Sequence, residues 1–272
     1  DAGTVYLVAY AGEIRSSDFT DIDFDEVIGY ETVEKGGRPM AYTLDILPYG
    51  KDLPIADVKI FALLDADENG EINAGDRIGF YREEGDLFIS LVDINEPGDI
   101  KGIDIAFALD VPEPSGFEIS LSGAITRPAE VDDQTPVYVA VFGGDDPDAI
   151  TEDPVDGLKY FTKLPAGADE YDIDLSDTGL APGDEILVVA FADADPEGGV
   201  PNLTPGDFIG IHIPEDAVTP AYALTAGENP GIDIDINREV FDYEASVSGT
   251  IEGDDAGTVY LVAYAGEIRS SD

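Results

Sequence analysis

Oxygen-bearing side chains recur at a fixed spacing between Asp65 and Asp76. The run is Asp65-Ala-Asp67-Glu-Asn69-Gly70-Glu71-Ile-Asn73-Ala-Gly75-Asp76. Counted from Asp65, carboxylate or amide oxygens fall at positions 1, 3, 5, 9 and 12, with glycine at 6. The residue at position 7, Glu71, offers its backbone carbonyl. Alternate residues of a tight turn point the same way, and Gly70 permits the sharp bend that brings them round one point. A calcium ion takes about six to eight hard oxygens, several of them carboxylates. The chemistry expected of Asp65, Asp67, Asn69, Glu71 and Asp76 is therefore binding of Ca2+.

A second run, Asp193-Ala-Asp195-Pro-Glu197-Gly198-Gly199, begins in the same way and reaches Gly206-Asp207 after three more residues than the first. Asp193, Asp195, Glu197 and Asp207 are its candidate ligands. The spacing of the first run, 65–76, is that of an EF-hand-type loop with Asp in place of the usual final Glu. In an EF-hand two helices flank the loop. Here the flanks are IFALL (60–64) and RIGFY (77–81), short β-branched and aromatic runs that read as strands. A calcium loop joining two strands is thus expected.

Acidic clusters at 18–26 and 145–148 read as solvated connections, since 60 acidic residues make such clusters common. His212, the only histidine, lies in the alternating run FIGIHI (208–213) and reads as structural. No Gly-rich phosphate loop, nucleophile elbow or zinc signature occurs. Nothing in the chain calls for an enzyme.

The elements that must carry these loops are strands. Apolar, β-branched runs at 5–10, 27–33, 41–47, 58–64, 77–81, 87–92 and 103–109 are separated by Gly, Pro, Asp and Asn clusters. No dozen-residue window holds a helical period. The balance of 60 acidic against 13 basic residues, a net charge of −47, excludes a nucleic-acid partner and favours cations. With no cysteine, thiolate sites and disulfides are excluded. No window approaches the roughly 20 apolar residues of a membrane-spanning helix.

The chain repeats at two levels. Asp1 to Asp18, DAGTVYLVAYAGEIRSSD, returns letter for letter as Asp255 to Asp272, an offset of 254 residues. Within that period FEISLSGAI (117–125) matches YEASVSGTI (243–251), and PVYVAVF (136–142) matches TVYLVAY (4–10). IFALLDADENG (60–70) matches VVAFADADPEG (188–198), and GIDIAF (102–107) matches GIDIDI (231–236). The expected domains are a first β-sandwich over 1–111, a linker over 112–116, a second sandwich over 117–240, and the opening strands of a further copy over 241–272. The first sandwich lacks its own SGxI strand. A preceding repeat or another subunit is expected to supply it through the segment Ala245, Val247, Gly249 and Ile251.

SGTI, GTVYLVAY, VKIFALLDADENGEINAGDRIGFY and GIDIAFAL together resemble the prealbumin-like (carboxypeptidase regulatory-like) β-sandwich repeats of prokaryotic surface and secreted proteins. The resemblance implies an all-β fold of two tandem Ig-like sandwiches per 254-residue period. It also implies a spacer or adhesive role at the cell surface or outside the cell, with Asp65, Asp67, Asn69, Gly70 and Asp76, and more loosely Asp193, Asp195, Gly198 and Asp207, as the carried-over loop. The expected function is a structural repeat or subunit of an extracellular filament or surface fibre, rigidified by calcium and partnered by copies of itself. The alternative is a calcium-dependent adhesin module that binds a glycan or surface ligand.

Overall fold

The computed structural model describes residues 3–17, 22–33, 41–46, 53–83, 89–96, 98, 100–145, 154–195, 203–215, 217 and 219–240. The chain opens with β1 (Thr4–Tyr10), β2 (Val27–Val33), β3 (Ile55–Asp65), β4 (Arg77–Tyr81), β5 (Leu91–Ile94) and β6 (Ile105–Asp110). It continues through β7 (Ile119–Thr126), β8 (Val137–Gly143), the single helical turn α1 (Pro154–Gly157), β9 (Leu158–Lys163), β10 (Glu170–Asp174) and β11 (Glu185–Ala192). It closes with β12 (Phe208–Ile211), β13 (Tyr222–Ala223), β14 (Gly227–Pro230), β15 (Ile234–Asp235) and β16 (Arg238–Glu239). Among the described residues no helix exceeds one turn, and the protein is all-β.

These strands make three sheets. The first runs β2-β1-β3-β4-β6, with β5 also on β3. The second runs β9-β8-β11-β12-β16, with β13 also on β11. The third runs β10-β7-β14, with β15 also on β7. Position by position, the first and second sheets have the same order. Every pairing is antiparallel except those of β7 with β14 and β15.

Alternation along the strands explains the stacking. In β8, Val137, Val139 and Val141 face the third sheet, whose Ile119, Leu121, Ile173 and Ile234 complete that core. Tyr138, Ala140 and Phe142, on the opposite face, meet Val8, Tyr10, Phe61 and Phe80 of the first sheet. The second sheet is therefore buried on both faces. That is why PVYVAVF and EILVVAFA are continuous apolar runs instead of alternating ones. The other face of the first sheet carries Val5, Leu7, Ala62 and Leu64, with Tyr42, Leu44 and Phe107 packed on them.

The run expected as a strand at 41–47 makes no ladder over its described part, 41–46. Its link is a single bridge between Ile46 and Gly29. Its alternation is nonetheless real, since Tyr42, Leu44 and Ile46 turn inward. The reason lies in its counterpart, β10. The ladder of β10 is formed with β7, from Glu170↔Ala124 to Asp174↔Ser120. By sequence alone, 243–251 is the match to β7. That segment, with Ala245, Val247, Gly249 and Ile251, lies outside the described residues.

The glycine of the SGxI motif has a steric cause. A Cβ on Gly123 would sit 2.2 Å from the carbonyl oxygen of Ile232, where the parallel strands converge on β7. Gly210 is held in the same way, 2.3 Å from the Asp235 carbonyl.

Candidate metal centre

Asp65 ends β3 and Asp76 immediately precedes β4, so the loop is the connection of an antiparallel pair running from Phe61↔Phe80 to Leu64↔Arg77. Carboxylate oxygens of Asp65, Asp67 and Asp76 lie within 4.8 Å of one another, with Asp65 and Asp76 buried and Asp67 exposed. Backbone amides shape the loop before any ion enters. Asp65 accepts from the Asn69 amide through Oδ1 at 3.2 Å and from the Gly70 amide through Oδ2 at 2.8 Å. Asp76 accepts from Ala66 through Oδ1 and from Asn73 through Oδ2, both at 2.8 Å. Each carboxylate oxygen has a second lone pair, so these bonds orient the oxygens without exhausting them.

Gly70 stands at φ +80°, the left-handed conformation that the bend requires. Burial pushes the Asp65 carboxyl up, but hydrogen bonds from Gly70 and Asn69 outweigh it and hold the group below its ordinary value. Asn69 donates through its side-chain amide to Asp67 at 2.9 Å, while its Oδ1 accepts the Glu71 amide at 2.7 Å. The Glu71 side chain is exposed and stands apart from the carboxylate triad.

The second loop joins β11 to β12 and is built alike. Oxygens of Asp193, Asp195 and Asp207 again lie within 4.8 Å, with Asp193 and Asp207 buried. Asp207 accepts from Ala194 through Oδ1 at 2.7 Å and from Thr204 through Oδ2 at 2.6 Å. The Thr204 hydroxyl adds a bond to Asp195 at 2.7 Å. Glu197 lies outside the described residues. The three-residue difference between the runs falls between Asp195 and Thr204 and leaves the Asp207 half unchanged.

Two features were not read from the sequence. Gly75 donates to the Val111 carbonyl at 3.0 Å, and Val111 donates back to Asp76 at 2.8 Å. Gly206 and Val240 repeat the pair at 2.9 Å, with Val240 donating back to Asp207 at 2.8 Å. Each loop is thus tied to the residue that follows the last strand of its sheet region. Only backbone atoms are involved, so no residue type signals it. The second feature is a tyrosine beside each triad. Burial and then Asp65 raise the Tyr6 phenol, and burial and then Asp193 raise that of Tyr138. The recurring VY dipeptide is the signal that could have found it.

His212 is buried, its Nδ1 2.9 Å from the Asp233 carbonyl and its ring 5.9 Å from that of Tyr222. It lies away from both triads. No protein-family model matches the chain, and neither the curated proteins nor the solved structures give a match to it. The site rests on its own geometry: two buried aspartate triads of hard oxygens, each able to hold a metal ion.

Proposed function

We propose that the chain is a structural repeat or subunit of an extracellular filament or surface fibre. Two Ig-like, prealbumin-like sandwiches follow one another in each 254-residue period. Calcium occupies both aspartate triads, and copies are joined end to end by a continued or inserted β-strand. The observation that carries this reading is a pair of flanks in the first sheet, matching those that hold β7 in the second sandwich, with no strand between them among the described residues. In the second sandwich β7 runs between β10 on one side and β14 with β15 on the other. The counterparts around the first sheet are 41–46 and the stretch leading into β6. Tyr42 bonds to Ile103 as Tyr171 bonds to Ile232. The first sheet thus keeps both sides of a slot whose strand, by sequence, is YEASVSGTI at 243–251.

Calcium fits the same reading through charge. Clustered carboxylates repel, and a divalent ion between them relieves that repulsion and orders the loop. The loops bond to Val111 and Val240, so ordering them fixes where the chain leaves each sandwich. The test is electron microscopy of the purified chain with calcium and with excess EGTA, alongside its melting temperature. Filaments or end-to-end oligomers that need calcium, and a melt lowered by EGTA, are the expected result. A monomer under all conditions with an unchanged melt would overturn the reading.

A further inference from the structure

Tyr138 is 0% exposed, and its hydroxyl has no hydrogen-bond partner among the described residues. A buried hydroxyl without a partner is costly, and phenylalanine would fill the same space without that cost. Tyrosine nevertheless holds this position in both halves of the period, as Tyr138 in PVYVAVF and as Tyr6 in TVYLVAY.

The register of the second sheet places the hydroxyl. Tyr138 lies opposite Phe191, and Val137 opposite Ala192. Asp193 donates its amide to the Pro136 carbonyl at 3.0 Å, so the ladder continues one step further, to the first aspartate of the triad. Side chains alternate along a strand, which puts Tyr138, Phe191 and Asp193 on one face. The rings of Tyr138 and Phe191 stack with centroids 5.2 Å apart. Asp193 is the diagonal neighbour beyond them, a separation that an aromatic side chain spans. After burial, the Asp193 charge is the strongest influence raising this phenol. The first sheet has the same diagonal, since Tyr6 lies opposite Leu63, two residues before Asp65. There the phenol is partly exposed. At Tyr138 the first sheet covers the position with Val8, Tyr10, Phe61 and Phe80, and Lys163 Nζ stands 5.9 Å from the ring centroid. Bulk water therefore satisfies Tyr6 but does not reach Tyr138.

The second triad offers three carboxylates, whereas a calcium ion takes about six to eight oxygens, water commonly among them. We propose that the Tyr138 hydroxyl closes the inward side of the second triad by holding a water bound to the ion that Asp193, Asp195 and Asp207 ligate. The water gives a lone pair to the ion and donates a hydrogen bond to the phenol oxygen, so the buried hydroxyl gains a partner that the fold alone does not supply. Tyr138 is a positioning residue of this site, acting through the water. The inference rests on the calcium reading above and extends the shell of the second ion into the seam between the first and second sheets.

Calorimetric titration of the whole chain with Ca2+, together with thermal melts in calcium and in excess EGTA, tests this. Asp195→Asn identifies binding at the second triad by the step that it weakens. Tyr138→Phe is expected to weaken that same step about tenfold or more, the usual effect of losing a group that orients a metal's ligand. It is expected to leave the other step alone and to leave the melt in EGTA unchanged or raised, because the deleted hydroxyl has no partner in the fold. A Tyr138→Phe chain that binds calcium as the parent does overturns the inference and leaves calcium at the triads standing. A melt lowered equally in EGTA and in calcium overturns it too, since the hydroxyl then serves the fold and not the ion. A parent that takes up no calcium removes both readings.

Discussion

The hydroxyl of Tyr42 donates to the carbonyl of Ile103 at 2.5 Å, and this bond joins two segments 61 residues apart that share no ladder. Tyr171 makes the same bond to Ile232 at 2.6 Å across the same sequence separation. Burial raises both phenols, so each stays a donor through the neutral range. Loss of a buried bond of this kind costs about 1–2 kcal/mol, as a hydroxyl is removed and a carbonyl is left without its donor. Tyr171→Phe is expected to lower the stability of the isolated chain by that amount in urea titration. On the proposed strand joining, Tyr42→Phe is expected to weaken end-to-end association as well, because Tyr42 lies in one of the two flanks of the proposed slot. Equal effects of the two changes on association would deny the slot its role.

Asp76 and Asp207 each serve two purposes that substitution can separate. Both cap their turns through two backbone amides, and both belong to a triad able to hold a cation. Without metal, Asp76→Ala leaves the Ala66 and Asn73 amides unsatisfied beside a buried site, a loss of about 2–4 kcal/mol. Asp67→Asn removes a charge from the exposed member and leaves those caps intact. It is expected to leave the chelated melt almost unchanged while reducing the rise in melting temperature proposed for calcium. Calorimetry with and without EGTA checks both. A calcium response in Asp67→Asn equal to that of the parent would remove Asp67 from the ligand set.

Much of this was legible in the sequence because it rests on side-chain type and period. The 77–81 run is β4, residue for residue, and the aspartates at loop positions 1, 3 and 12 converge. The Glu71 side chain is not among the converging carboxylates, in keeping with the expectation that position 7 would offer its backbone carbonyl. The face-to-face packing of the first and second sheets was not anticipated. Its signal was present in the unbroken apolar runs of β8 and β11, which mark a sheet buried on both faces. The 41–47 expectation failed in a different way. The period-2 pattern is right, but a strand also needs a neighbour, and among the described residues none pairs with 41–46 beyond the bridge from Ile46 to Gly29.

Gly123 supplies a sharper test of the SGxI motif. The Cβ of an alanine there would approach the Ile232 carbonyl to 2.2 Å, far inside contact distance, and the obstacle is backbone. Relief requires β7 to separate from the segment that enters β15, which breaks Ile232-to-Ser122 bonding at 3.1 Å. Gly123→Ala is expected to destabilise the chain by about 3 kcal/mol or more, a loss typical of overpacking against an unyielding wall. Gly183→Ala is the control, since nothing lies within 4 Å of a Cβ there, although its φ of +98° adds a smaller strain. A smaller loss at Gly123 than at Gly183 would show that the convergence of strands does not constrain the motif.

Lys59 provides the pH dependence. It lies in β3 opposite Tyr10, on the face that meets the second sheet, and is 1% exposed. The register of the second sheet puts Leu187 at the equivalent place, opposite Phe142. Burial lowers the Lys59 ammonium to about 8, against the opposing pull of Asp57 and Glu13. The unfolded chain holds this proton up to about 10.4, so between about 8 and 10.4 the unfolded state binds more protons than the folded one. Stability contributed by this group therefore rises with pH across that window. Below it the folded state carries a buried charge. Lys59→Leu, which copies the second sheet, is expected to stabilise the chain near neutral pH by about 1–2 kcal/mol after allowance for solvent screening, and to abolish the alkaline rise. Urea midpoints at pH 7 and pH 10 for parent and variant check this. A parent whose midpoint falls between those values while the variant falls in parallel would show that Lys59 keeps its proton in the fold.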